Sequence, residues 1–114
     1  MSAIFDTSFL LALSNPNDVH HQRVLAVARQ LKEPLFLPVP VLPEICYLLA
    51  SRVSHAAMRQ FLQQLVRSKT ILETITQEDL QRVNEILQRY ADSHLDFVDA
   101  TVVAIAERRN ITRI

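Results

Sequence analysis

The sequence predicts an α/β protein: a short parallel sheet in a three-layer arrangement, flanked by about six helices. Two observations predict it. Short apolar runs at residues 3–6, 35–38 and 70–74 alternate with longer stretches whose apolar residues recur at helical spacing. The 114 residues carry 49% hydrophobic and 21% charged side chains, a globular profile for one domain. A chain of this size buries roughly two-thirds of its unfolded surface and needs no staples.

The elements follow in order. AIFD at 3–6 reads as a buried strand. Thr7 or Ser8 caps a helix over Phe9 to Leu13, which ends near Asn15-Pro16. Asn17 or Asp18 caps a second helix over about 18–32, with Val19, Leu25, Ala28 and Leu31 on one face. LFLP at 35–38 is the second strand. Pro43 suits the first position of a third helix, which carries Glu44 and Ile45 to Leu49. Ser54 caps a fourth, with a stripe of Met58, Phe61, Leu62 and Leu65. TILET at 70–74 is the third strand. Thr76 and Asp79 resemble a capping box opening a fifth helix to about Ala91, with Leu80, Val83, Ile86, Leu87 and Tyr90 inward. A sixth, from about Phe97 to Arg109, is apolar on most sides and therefore buried. ITRI at the end opens a fourth strand.

Composition excludes several classes. Glycine is absent, so no glycine-rich phosphate loop exists and turns fall to Pro, Asn, Asp and Ser. Lys+Arg and Asp+Glu are 12 each, so nucleic-acid binding requires a local patch. The lone Cys46 makes no internal disulfide, which fits a reducing cytoplasm. No run approaches the roughly 18 apolar residues of a membrane span. The N-terminus lacks a basic region and carries an acid at position 6, unlike a secretory signal.

Four carboxylates stand among large apolar residues: Asp6 after the first strand, Glu44 in VPVLPEICYLLA, and Asp96 and Asp99 in HLDFVDATVVAIAERR. An ionised carboxylate in such surroundings is expensive unless paired. One reading makes each a helix cap or a partner of a helix dipole. The other gathers them at the carboxyl edge of the sheet, where ligands bind in such folds. Two carboxylates about 5 Å apart repel by roughly 3 kcal/mol at an effective dielectric near 20. Gathered acids therefore share protons or hold a cation. The oxygen-only set suits Mg²⁺ or Mn²⁺ better than zinc. Asp18, Glu33, Glu78, Asp79, Glu85, Asp92 and Glu107 sit mostly among polar neighbours and read as solvated surface, while Glu73 belongs to neither group. Tyr47 and Tyr90 read as core or interface residues, and Cys46 as a small buried side chain.

IFDTSFLLAL, LPEICYLLA and LDFVDATVVAIAERRNITRI resemble, in order and spacing, the three acidic motifs of PIN-domain ribonucleases, close to the VapC-type toxins. The resemblance implies a single PIN-like domain over residues 1–114 and a divalent-metal-dependent ribonuclease, the toxin of a type II toxin–antitoxin pair. It implies Asp6, Glu44 and Asp99 as catalytic metal ligands, with Asp96 a lesser one. Thr7 and Ser8 resemble the hydroxyls after the first acid and either bond the site carboxylates or cap a helix. Arg52, Arg108, Arg109 and Arg113 are the cations available for RNA. The implied partners are an RNA substrate, an antitoxin protein and a second copy of the chain. Relatives continue after an ITRI-like strand into a T-x-D-x-x-D-F-like acidic segment, which this sequence lacks. That departure keeps an alternative open: a weakened or inert PIN-like module acting through protein binding. An aspartyl-phosphate phosphatase needs a second Asp where Ser8 stands, and a receiver domain needs paired acids near its first strand, so neither fits.

Overall fold

The computed structural model describes residues 3–32 and 34–112. Among them the chain runs β1 (Ala3–Ile4), α1 (Thr7–Ser14), α2 (His21–Gln30), β2 (Leu35–Pro38), α3 (Val41–Arg52), α4 (His55–Arg67), β3 (Ile71–Glu73), α5 (Gln77–Arg89) and α6 (Phe97–Arg109). The strands form one parallel sheet in the order β1-β2-β3. Ile4 pairs with Phe36, which in turn pairs with Ile71. Each crossover carries two helices, so α1, α3 and α5 all begin near the carboxyl edge of the sheet.

Local chemistry sets the boundaries. Ser54 caps α4 by accepting from the Ala57 N–H, and Thr76 with Asp79 closes a full capping box on α5. With no glycine, turns rest on short polar side chains: Asn15 accepts from Asn17, Asp18 from His20, and Ser68 from Thr70. Asn110 takes the left-handed conformation at φ 55° that ends α6. Its N–H reaches the Glu107 carbonyl and that of Ile111 reaches Ala106, a Schellman closure sealed by burial of Ile111.

Several expectations need correction. Asp6, not Thr7 or Ser8, caps α1. The second helix starts at His21 rather than near 18, because Asp18 spends its carboxylate on the turn, and Val19 is left 89% exposed. Pro43 lies in the third position of α3, still within the first turn where a missing N–H costs nothing. Leu62, Leu80 and Tyr90 are substantially exposed and leave their helices' buried stripes. Ile111 and Thr112 form no strand, and the rest of the expected fourth strand lies outside the described residues.

The core explains the uniform apolarity of α6. Val102, Ile105 and Ala106 join Ile4, Phe36, Leu37, Ile45 and Leu49 in the main cluster. Ala100 and Ala104 pack with Val83 and Ile86 of α5 in a second. A helix buried on two sides has no polar face to show. Thr101 is fully buried and satisfied, its hydroxyl donating to the Phe97 carbonyl at 2.8 Å.

The C-terminal end of α6 is tied down by charge. Glu73 and Asp79, 7% and 3% exposed, are not solvated surface. Arg108 bonds Asp79 and Glu73, each at 2.9 Å, and Arg109 bonds Glu73 at 2.9 Å. Arg109 also lies over the Phe36 ring, 5.2 Å from its centroid. Burial pushes both carboxyls up, but hydrogen bonds and charge from the arginines outweigh it and hold both below their ordinary range. Lowered carboxyls stabilise the fold above their unfolded pKa and lose that contribution as pH falls through the folded value. Arg108→Ala should therefore cost about 2–3 kcal/mol in urea unfolding at pH 7, less than a fully buried pair because Arg108 is partly exposed. The gap between variant and parent should close below about pH 4.

Candidate functional site

Asp6, Glu44 and Asp99 are positioned by three different elements. Asp6 follows the carboxyl end of β1. Glu44 sits in the first turn of α3, just past the carboxyl end of β2. Because β1 and β2 are parallel, both acids lie at the same edge. Asp99 sits in the first turn of α6, and the charge of Glu44, far from it in sequence, is among the causes that raise its carboxyl pKa. The N-terminal turns of α1, α3 and α6 thus carry the acids, where helix dipoles favour negative charge.

The capping reading also holds. An Asp6 Oδ1 accepts from the Phe9 N–H at 2.9 Å. Asp96 and Asp99 form a reciprocal box, with Asp96 accepting from the Asp99 N–H at 2.9 Å and Asp99 from the Asp96 N–H at 3.3 Å. The two readings are compatible. A carboxylate has about four lone-pair directions, and a cap uses one.

Desolvation pushes the Asp99 carboxyl up, opposed by the Asp96 backbone N–H, and the charges of Asp96 and Glu44 push it up further. Such crowding of like charge is what a cation relieves. Next to Asp6 in sequence, the Thr7 hydroxyl at the first position of α1 is buried without a hydrogen-bond partner among the described residues. Carboxylates and a hydroxyl are the donor set of a hard divalent cation. The residues fit such an ion in kind. In spacing they do not: among the described residues no three His, Cys, Asp or Glu side chains stand close enough together to hold one.

The remaining candidates separate. Ser8 is exposed in the first turn of α1. Arg52 is exposed at the far end of α3, roughly 12 Å along the helix from Glu44. Arg108 and Arg109 are committed to Glu73 and Asp79, and Arg113 lies outside the described residues. Cys46 is partly buried, and burial pushes its thiol up, away from a nucleophile's range. Tyr47 and Tyr90 are not core residues, being 71% and 51% exposed.

Compared with known proteins, residues 3–114 match the PIN domain. The chain belongs to the PIN-domain family. This PIN domain is 28% identical over 105 residues to Ribonuclease VapC26 of Mycobacterium tuberculosis, covering 92% of this chain and 78% of the relative. Its fold superposes with a TM-score of 0.88 on the crystal structure of Mycobacterium tuberculosis VapC20, described as a Sarcin-Ricin loop cleaving toxin. That match has 26% identity and covers 97% of this chain and 85% of the other. Among the described residues no helix is long and apolar enough to cross a membrane.

A raised carboxyl opposes stability once ionised: its contribution is complete below the unfolded pKa and is lost as pH rises through the folded value. Asp99→Asn keeps the acceptor for the Asp96 N–H and removes the charge. In metal-free buffer at neutral pH it should raise Tm. Carbon-detected NMR titration should place the Asp99 carboxyl above the ordinary aspartate range and show it falling in Glu44→Gln.

Proposed function

We propose that this PIN domain is a divalent-metal-dependent ribonuclease that hydrolyses RNA phosphodiesters, the toxin of a type II toxin–antitoxin pair. The observation that carries the reading is the family match over residues 3–114, in a chain whose Asp6 and Glu44 lie at the carboxyl edge of one parallel sheet. The names of the two mycobacterial relatives, a ribonuclease and a loop-cleaving toxin, support the substrate class. The protein acts in the cytoplasm as one domain, pairs with an antitoxin protein and forms a homodimer.

Asp6, Glu44 and Asp99 are the residues that would hold Mg²⁺ or Mn²⁺ once drawn closer than they stand here, with Asp96 contributing through its box with Asp99. A divalent ion held there would supply Lewis-acid chemistry for phosphodiester hydrolysis. The chain's own groups do the rest. The caps from Phe9 to Asp6 and between Asp96 and Asp99 fix three carboxylates before substrate arrives. A carboxylate oxygen left free by the cap takes the proton of the attacking water. The Thr7 hydroxyl, unpartnered and buried, is a donor available to the substrate or to a site carboxylate on metal binding, and Ser8 with Arg52 contacts the RNA flanking the scissile bond. The helix N-termini at the mouth favour the phosphate dianion-like charge of the transition state.

The wide spacing of the acids favours a second reading, an inert module that acts through protein binding. One assay separates them. With Mg²⁺ or Mn²⁺ the chain should cut RNA, and EDTA should abolish cutting. Asp6→Asn, Glu44→Gln and Asp99→Asn should each lower the rate by more than about a hundredfold with the fold intact by circular dichroism, and Asp96→Asn by less. No cleavage with either metal, together with no thermal stabilisation by either, would favour the inert module.

A further inference from the structure

β3 has one open side. Among the described residues it is an outer strand of the sheet, in the order β1-β2-β3. Its register with β2 fixes which backbone groups face inward. Glu73 turns to β2, its carbonyl accepting from the Val39 N–H at 2.9 Å. Residues along a parallel strand alternate in this respect, so Thr70, Leu72 and Thr74 turn their N–H and C=O groups away from β2. The chain itself closes two of those groups. The Thr70 N–H donates to the Ser68 hydroxyl at 3.2 Å, and the Thr74 C=O accepts from Arg108 at 3.2 Å. The Thr70 C=O, the Leu72 N–H and C=O, and the Thr74 N–H have no partner among the described residues. Apolar side chains accompany them: Ile71 is 44% exposed and Leu72 50%, on opposite faces of the strand. No Pro or Lys stands within residues 70–74, and the carboxylate of Glu73 is turned inward to Arg108 and Arg109. Apart from its shortness, the edge lacks the usual guards against strand pairing.

We propose that this edge is an interface between two copies of the chain, joined by antiparallel pairing of β3 with β3 about a two-fold axis at Leu72. The inference rests on the homodimer reading for the presence of a second copy, gives that dimer its face, and is independent of the ribonuclease reading. In such a pair Leu72 meets Leu72 of the second copy and the two exchange both hydrogen bonds. Each Thr70 then lies opposite Thr74 of the other copy, and the Thr74 N–H reaches the Thr70 C=O. The other bond of an ordinary pair at that position would join the Thr70 N–H to the Thr74 C=O. Those are the two groups that Ser68 and Arg108 already satisfy. The open groups are therefore complementary to themselves, and the closed ones fall opposite each other. An unrelated antiparallel strand would set an unsatisfied C=O against the Thr70 N–H and an unsatisfied N–H against the Thr74 C=O, which is costly once water is excluded. The side chains agree. Leu72 meets Leu72 on one face, Thr70 meets Thr74, and Ile71 covers the stem of Glu73.

Sedimentation velocity over a concentration series should show the chain passing from monomer to dimer. As it does so, hydrogen exchange at the Leu72 and Thr74 amides should slow, while the Val39 amide, already bonded, stays unchanged. In a mixture of isotope-labelled and unlabelled copies, NMR should show an intermolecular contact between the Ile71 Hα and the Glu73 Hα. Leu72→Pro removes the outward N–H and spares the ladder to β2. Leu72→Lys keeps the N–H and sets like charges together at the axis. Each should weaken dimerisation at least about tenfold, with circular dichroism unchanged. Dimerisation of the same strength in both variants would overturn the inference and leave the homodimer to another face. So would exchange at Leu72 and Thr74 that does not slow while the dimer forms. A chain that stays monomeric throughout would overturn the homodimer reading as well, leaving the edge to a strand of another protein.

Discussion

Parallel pairing of β1 with β2 is the constraint on which the site depends. A parallel pair needs a crossover, and each crossover here starts with a helix at the carboxyl end of a strand. Helix N-termini are therefore brought to one edge by topology alone. Their unsatisfied N–H groups and dipoles make that edge the place in the fold where a carboxylate is least costly. Asp6 and Glu44 occupy it, and Asp99 stands in the first turn of α6. Asp6 and Asp99 each spend a carboxylate oxygen on a backbone amide at a helix start.

α6 is the member that makes this work. Its middle is clamped between the main cluster and α5, and so is free of polar side chains that need water. Its two ends carry opposite chemistry. Acids stand at the N-terminal turn, and Arg108 and Arg109 at the last turn close on two carboxylates that the sheet and α5 bury. Both arrangements agree with the helix dipole. The ion pairs gain less than their short distances suggest, because two acids had to be desolvated, and their value lies in fixing where α6 ends. About 14 Å of helix separates Asp99 from Arg108. Arg108 and Arg109 are consequently engaged away from Asp99, at the other end of α6.

Much of this was legible in the residues. The second strand and the sixth helix fall at their expected bounds, since LFLP is uniformly apolar and FVDATVVAIAERR is bracketed by Asp96 and Asn110. The caps at Ser54 and Thr76 follow directly from side-chain spacing. Boundaries failed where two polar residues compete for one role: Asp6 took the cap expected of Thr7 or Ser8, and Asp18 went to a turn. Glu73 and Asp79 were hidden because their partners lie 29 to 36 residues away, beyond any local pattern. The same limit hid the exposure of Tyr47, which sits in the most apolar helix start yet faces out. Of the site, which acids are unusual could be read from their apolar neighbours. That Asp99 shares a field with Glu44, while Asp6 spends one oxygen on its own helix, required the fold.

The central proposal is that a divalent ion is held by acids from three elements, Asp6 and Glu44 at the edge set by parallel pairing and Asp99 in the first turn of α6. Paramagnetic Mn²⁺ added at substoichiometric amounts to isotope-labelled protein reads this directly, since backbone amide signals broaden with proximity to the ion. The account predicts that amides around Asp6, Glu44 and Asp99 broaden together at the lowest addition, and that excess Mg²⁺ restores them together. Broadening spread over exposed acids such as Asp18, Glu78 and Asp92, with the Asp6, Glu44 and Asp99 signals unaffected, would contradict it.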